Sequence, residues 1–198
     1  MPTRTEQRLA TRAALADAAI ALFADQGYEA VTMDDIAARA GVSRPTAFRH
    51  FRAKAEVITA VQDEWLRIFT EGTQQRLPGE SEWHALRRVS HAIASHIEAD
   101  RRRVIGAAAL SWSHPALQAE AYAQFARWQS MIAVAIRPAV DGDLAAAMVG
   151  GAMMGMIQSI LLAWAVSDGT VDMHALFDDG FARLATGFGH PAAPGAGA

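Results

Sequence analysis

The sequence predicts an all-α protein of about nine helices, an N-terminal three-helix unit followed by a longer helical domain. Two observations carry this. Apolar residues recur at spacings of three, four and seven along most of the chain, and the breaks between these runs carry helix caps, with Ser, Thr or Asp at one end and Gly or Pro at the other. No stretch competes as a strand. The 198 residues are 52% hydrophobic and 20% charged, with 15 Gly and 7 Pro. That is enough apolar material for a sizeable core and excludes disordered, collagenous and low-complexity classes for the bulk of the chain.

The elements follow in order. Leu9, Ala16, Ile20 and Phe23 share one face of a first helix, which Gly27 ends as a left-handed cap. Thr32 and Asp35 open a second helix, whose inner stripe is Ile36, Ala37 and Ala40 and whose stop is Gly41. Ser43 caps a short third helix. Pro45 falls in its first turn, where the missing N–H loses no intrahelical bond. Ala47 and Phe51 form an inward pair on it, and Pro45 and Arg49 lie on another face. A longer helix continues from Lys54 with Val57, Ile58, Val61, Trp65 and Phe69, ending near Pro78-Gly79. Further helices are expected at roughly 81–98, 101–111, 115–137, 143–166 and 172–188. Domain boundaries are placed at 1–54 and 55–188, and the Gly/Pro/Ala-rich stretch 189–198 is expected to be disordered.

Cysteine is absent, which closes disulfide, thiolate and iron–sulfur chemistry. The N-terminal run is interrupted by Asp17 and carries Arg8 and Arg12 at helical spacing, unlike a secretory signal, so a cytoplasmic location is expected. Leu144–Val166 has no formal charge over 23 residues, long enough for a bilayer. Its three Gly, Gln158, Ser159 and many Ala, and its acidic flanks Asp143 and Asp168, favour a buried or interface helix and no membrane partner. The net charge of −3 is unevenly spread. Residues 1–54 hold eight basic and six acidic side chains, and the sixteen positions from Arg39 to Lys54 hold five cations and no acid between them. That is a local basic patch.

Two short helices joined by A-G-V-S, the second opening with cationic and polar residues, have the outline of a helix-turn-helix, whose second helix enters the DNA major groove. An ordinary helical corner with a solvated Arg face shares that outline. The ordered string TMDDIAARAGVSRPTAFRHFRAKAEVITAV, residues 32–61, resembles the N-terminal domain of the tetracycline-repressor (TetR) family of transcriptional regulators. The T-x-x-x-I-A-x-x-A-G-V-S core at 32–43, the aromatic-x-His-Phe at 48–51 and Lys54 stand in that family's register. Roughly the first 65 residues carry the similarity; the rest resembles the family in layout.

The resemblance implies a ligand-responsive regulator, a repressor released by its effector, which binds a palindromic operator as a homodimer. It implies that the helix from Arg44 to His50 reads DNA. Arg44 can donate two parallel bonds to guanine. Pro45 and Thr46 can touch a thymine methyl. Phe48 replaces the family's commoner Tyr, which leaves apolar contact in place of a phenolic phosphate bond. Arg49, His50 and Lys54 are candidate phosphate contacts, and Thr32 is a cap that can also reach phosphate.

For the second domain, helices 143–166 and 172–188 are the dimerisation candidates, in line with the family's four-helix interface, and Gly151-x-x-x-Gly155 allows close approach. The resemblance also implies an effector cavity between the central helices. Trp65, Trp112, Phe125, Trp128 and Met154 are the candidate walls for an apolar or aromatic molecule, with His91 or Gln158 for polar recognition. His84, His91 and His96 lack a persuasive zinc spacing, so no metal and no cofactor are expected. A helical small-molecule-binding adaptor without DNA recognition is the alternative. A helical enzyme ranks last, because no phosphate loop, nucleophile elbow or H-E-x-x-H constellation is found.

Overall fold

A computed structural model describes residues 3–186 of the chain. Among the described residues there are nine α-helices and no strand: α1 Arg4–Gln26, α2 Met33–Arg39, α3 Arg44–His50, α4 Asp63–Gln74, α5 Glu82–Ala99, α6 Arg101–Ser111, α7 Pro115–Ile136, α8 Gly142–Val166 and α9 Met173–Thr186. The expected tail at 189–198 lies outside the described residues. The chain divides into two compact units, 1–71 with 95–128 and 72–94 with 129–198. This division does not follow the sequence boundary at 54/55.

In the first unit the helix starts are built as their sequences dictate. Thr3 and Glu6 close a capping box on α1, Thr32 and Asp35 close another on α2, and the Ser43 hydroxyl accepts the Thr46 N–H at the start of α3. Gly27 ends α1 at φ +79°, a conformation that favours glycine, and donates its N–H to Phe23 O. The core joins Leu15, Ala19 and Phe23 of α1 to Ile36 of α2, Ala47 of α3 and Phe51, with Ala107 of α6 and Leu117 of α7 in the same cluster. Ala47 and Phe51 are therefore the inward pair, and Arg44, Pro45, Phe48 and Arg49 are exposed.

The helix expected to run on from Lys54 is split. Lys54–Gln62 is a 3-10 helix and only Asp63 onward is α. The sequence V-I-T-A-V at 57–61 supplies the cause, since β-branched side chains lose rotamer freedom against the preceding α turn. The Thr59 hydroxyl also bonds the Glu56 carbonyl three residues back. A nine-residue 3-10 run is long for that geometry and marks a place where the chain can change its winding. Arg12 of α1 bridges its far end. Its guanidinium donates to both carboxylate oxygens of Asp63, at 2.5 and 3.1 Å, and to His50 O, with its carbon 4.2 Å from the Phe51 ring centroid.

In the second unit α8 packs along α9. A side chain at Gly180 of α9 would collide with Met156 of α8, so glycine sets that approach, and Trp83 of α5 meets Phe181 edge-on at 5.3 Å. Met153, Trp164, Met173, Phe177 and Phe181 are fully or nearly fully buried. On α8 the glycine in tight contact is Gly150, where an added Cβ would lie 2.8 Å from Gln129 O, whereas Gly155 faces open space.

Candidate functional site

The first turn of α3 is held by Ser43, whose hydroxyl donates to Thr46 Oγ1 at 3.0 Å. Thr46 is thereby half-buried and locally engaged. Arg44 leaves 65% of its side chain exposed, its Nη1 2.7 Å from Asp34 Oδ2 of α2 and its guanidinium carbon 5.4 Å from the Phe48 ring centroid. Phe48, one turn on, is 43% exposed, unusual for so large an apolar ring and in keeping with a surface that meets something. Arg49 is also exposed. Thr32 has its hydroxyl committed to Asp35, and that bond holds the Asp35 carboxyl below the usual carboxylate range. The His50 imidazole is pushed below its ordinary value, chiefly by burial and then by Arg49, Arg12 and Arg8.

Lys54 is engaged inwardly. Its ammonium donates to Tyr28 O at 2.6 Å, Val31 O at 2.9 Å and Glu29 O at 3.5 Å, and lies 4.1 Å from the Tyr28 ring centroid. An ammonium has three donors and no acceptor, so these carbonyls use its full capacity. Sequence reasoning singled out Lys54 but missed Tyr28, whose ring also lies 4.3 Å from the His114 ring at a tilt of 31°, while His114 Nε2 sits 2.6 Å from Glu29 Oε1. It also missed Asp34 and Arg12. The helical spacing of Arg12 was visible, but its distant partners were not.

The candidate effector residues fall into separate groups. Within the first unit, Trp65 and Trp128 are both buried. Trp128 Nε1 donates to Gln62 Oε1 at 2.7 Å and its ring meets Phe69 edge-on at 5.4 Å, and Trp65 lies on the same winding between Gln62 and Phe69. Trp112 and Phe125 belong to a different cluster, an edge-to-face ladder through Tyr122 at 6.0 and 6.3 Å, in which Trp112 is half exposed. Within the second unit, His91 Nδ1 is 2.8 Å from His174 Nδ1 and its Nε2 is 2.7 Å from Asp178 Oδ1, while Met154 is buried and Gln158 half-buried on α8. His84 instead pairs with Ser81.

A short helix seated by Ala47 and Phe51, entered through a tight turn and carrying exposed cations, defines a helix-turn-helix protein. Residues 15–61 match the family described as bacterial regulatory proteins, tetR family, and residues 80–189 match the family described as the MftR C-terminal domain. The chain belongs to the TetR family. Among curated relatives, the HTH-type transcriptional activator FasR of Mycolicibacterium smegmatis is 42% identical over 66 residues, 33% of this chain and 30% of FasR. The HTH-type transcriptional repressor Rv3405c of Mycobacterium tuberculosis is 35% identical over 94 residues, 48% of each. The chain thus spans between about a third and a half of these two relatives' length. Solved structures share the fold at lower identity. The SmeT–triclosan complex matches with TM-score 0.62 and 22% identity over 87% of this chain and 90% of that one. The Thermus thermophilus FadR complex with lauroyl-CoA matches with TM-score 0.58 and 20% identity over 94% and 100%.

Proposed function

We propose that this chain is a cytoplasmic, ligand-responsive transcriptional regulator that binds a palindromic operator as a homodimer and lets go when an apolar effector occupies its helical domain. The observation that carries the reading is the outward face of α3. Arg44, Pro45, Phe48 and Arg49 are exposed together, and the same helix is anchored through Ala47. Arg44 reads a base, Pro45, Thr46 and Phe48 make sugar or methyl contacts, and Arg49 and His50 meet phosphate. Thr32 and Lys54 serve the same surface, Thr32 as the cap of α2 and Lys54 by fixing the α1–α2 turn.

The dimer is supported by α8. Leu144, Met148, Ala152, Gly155, Ser159, Leu162 and Val166 recur at helical spacing and all lie exposed on one chain. An apolar stripe of that length with small residues at its centre suits an isologous helix-to-helix contact. Two recognition helices about 34–36 Å apart then meet successive turns of major groove. SmeT carries triclosan and FadR carries lauroyl-CoA; triclosan and the lauroyl chain are apolar although the CoA moiety is highly charged, which supports an effector with an apolar body here. Each unit is taken by itself: Trp65, Trp128, Phe125 and Trp112 are candidate contacts within the first, and His91, Met154 and Gln158 are candidate contacts within the second. The 3-10 run Lys54–Gln62 connects Lys54 to the neighbourhood of Trp65, so a ligand that prefers a different winding there shifts the population away from the DNA-binding state.

The test is titration of the protein against the DNA beside its own gene at two salt concentrations. If each subunit neutralises about four phosphates, a dimer gives a log–log salt slope of about −7. Indifference to the sequence of the DNA leaves the adaptor reading in its place.

A further inference from the structure

The arginines of the first unit divide by whether an acid of the same chain holds them. Arg12 bridges Asp63, Arg44 bridges Asp34, Arg67 holds Glu64 and Glu71, and Arg103 bridges Asp100. Arg8 and Arg49 are exposed and have no ion pair among the described residues. Their charges meet at the end of α3. Arg12 of α1 donates to His50 O at 2.9 Å, which seats that face of α1 against the last turn of α3. Arg8 stands one turn earlier on the same face, because residues four apart on an α-helix are neighbours, with Cβ atoms about 5–6 Å apart. Arg49 adjoins His50 on α3 itself. The His50 imidazole feels both guanidiniums, each of which disfavours its charged form. Asp63 acts on that ring in the opposite sense, but two bonds from Arg12 already engage it.

We propose that Arg8 is a DNA contact, taking from α1 a backbone phosphate next to the one met by Arg49 and His50, so that the DNA surface continues past the recognition helix onto α1. This rests on the regulator reading above. Two guanidiniums beside an imidazole, with no free acid among them, repel one another, and an external anion relieves that repulsion. A duplex supplies anions in a row, one per 3.4 Å of axis on each strand, and α3 brings it to this place. Arg8 lies on α1, outside the helix that enters the groove, so its contact fixes position and carries no base preference.

The experiment is a set of anisotropy titrations of the full chain at several salt concentrations, against the DNA beside its own gene and a scrambled duplex of equal length. Arg8→Gln should weaken both duplexes by one common factor and make the log–log salt slope shallower by about 0.9 per subunit, about 1.8 for a dimer. Arg8→Lys keeps the charge and should restore most of the slope. Arg102→Gln, which removes an exposed arginine of α6, should keep the parent slope and so separates a contact from the loss of net charge. The Arg8 variants should melt with the parent, since the side chain is exposed and holds no acid. Ethylation interference locates the contact. One phosphate per half-site should weaken the parent when ethylated and leave Arg8→Gln unaffected. In the DNA-free protein, proton NMR of the His50 ring should show Arg8→Gln raising its titration midpoint toward the ordinary value. A parent-like slope, a parent-like interference pattern or an unmoved His50 midpoint in Arg8→Gln overturns the proposal and leaves the regulator reading standing. A loss confined to the cognate duplex overturns it too, because it makes Arg8 a base reader. Failure of the parent to bind either duplex removes the regulator reading and the Arg8 contact together.

Discussion

Asp34 and Arg44 stand 2.7 Å apart across the α2–α3 turn, carboxylate to guanidinium, with more than half of each side chain exposed. An exposed pair of this kind adds at most about 1 kcal/mol to stability. Its larger effect is on function, because Asp34 competes with DNA for the residue best suited to read a guanine. Asp34→Ala should therefore leave the unfolding midpoint nearly unchanged and tighten operator binding. Arg44→Ala should cost on the order of 1–3 kcal/mol on cognate DNA and much less on a scrambled duplex. Equal losses on both duplexes would show that Arg44 is a phosphate contact.

Lys54 offers a prediction that its inward geometry makes sharper. With its ammonium bonded to Tyr28 O and Val31 O, Lys54→Met should lower the stability of the first unit by about 1.5–3 kcal/mol, the range for hydrogen bonds to a charged group. It should weaken every DNA sequence alike through a loosened α1–α2 turn and leave the salt slope of binding where it was. A slope shallower by about one unit, with stability intact, would instead make Lys54 a direct phosphate ligand.

What could be read in the sequence was local. The caps Thr32, Ser43 and Gly27, the inward pair Ala47–Phe51 and the order of the helices follow from residues within a turn or two of one another. The split at Lys54–Gln62 was harder to read, because the apolar spacing of Val57, Ile58 and Val61 suits an α-helix while their branching opposes it. Long-range pairing was not legible at all. Nothing within the motif says that Lys54 turns toward Tyr28, that Arg12 reaches Asp63, or that Trp112 joins Tyr122 at the surface while Trp65 and Trp128 lie inside.

The α8 stripe predicts the consequence of placing charge in it. Leu162 is 60% exposed in the single chain. Burying a leucine is worth about 1.5–3 kcal/mol, and a two-fold contact buries it twice. Leu162→Glu should then raise the dimer dissociation constant by about a hundredfold or more. Sedimentation velocity at micromolar concentration would detect the monomer, and operator affinity should fall with it while the helical content of each chain is retained. A variant still wholly dimeric moves the interface away from this face.

His50 gives the pH prediction, in which stability and binding run in opposite directions. Burial first, and then Arg49, Arg12 and Arg8, hold its imidazole below the ordinary value of 6.5, so the folded protein favours the neutral ring. The resulting stabilisation is complete above that value and is lost as pH falls through it toward the lower folded value. A DNA phosphate beside the ring acts the other way, since it favours the imidazolium. Operator binding should therefore take up a proton and strengthen between pH 7.5 and about 6, the range in which an ordinary histidine titrates. The comparison that isolates this residue is His50→Gln, which cannot gain charge. Anisotropy titrations across that range should show a smaller rise in affinity for the variant, and thermal melts a smaller loss of stability toward acid. Parallel pH profiles for parent and variant in the binding assay would place His50 away from the phosphates.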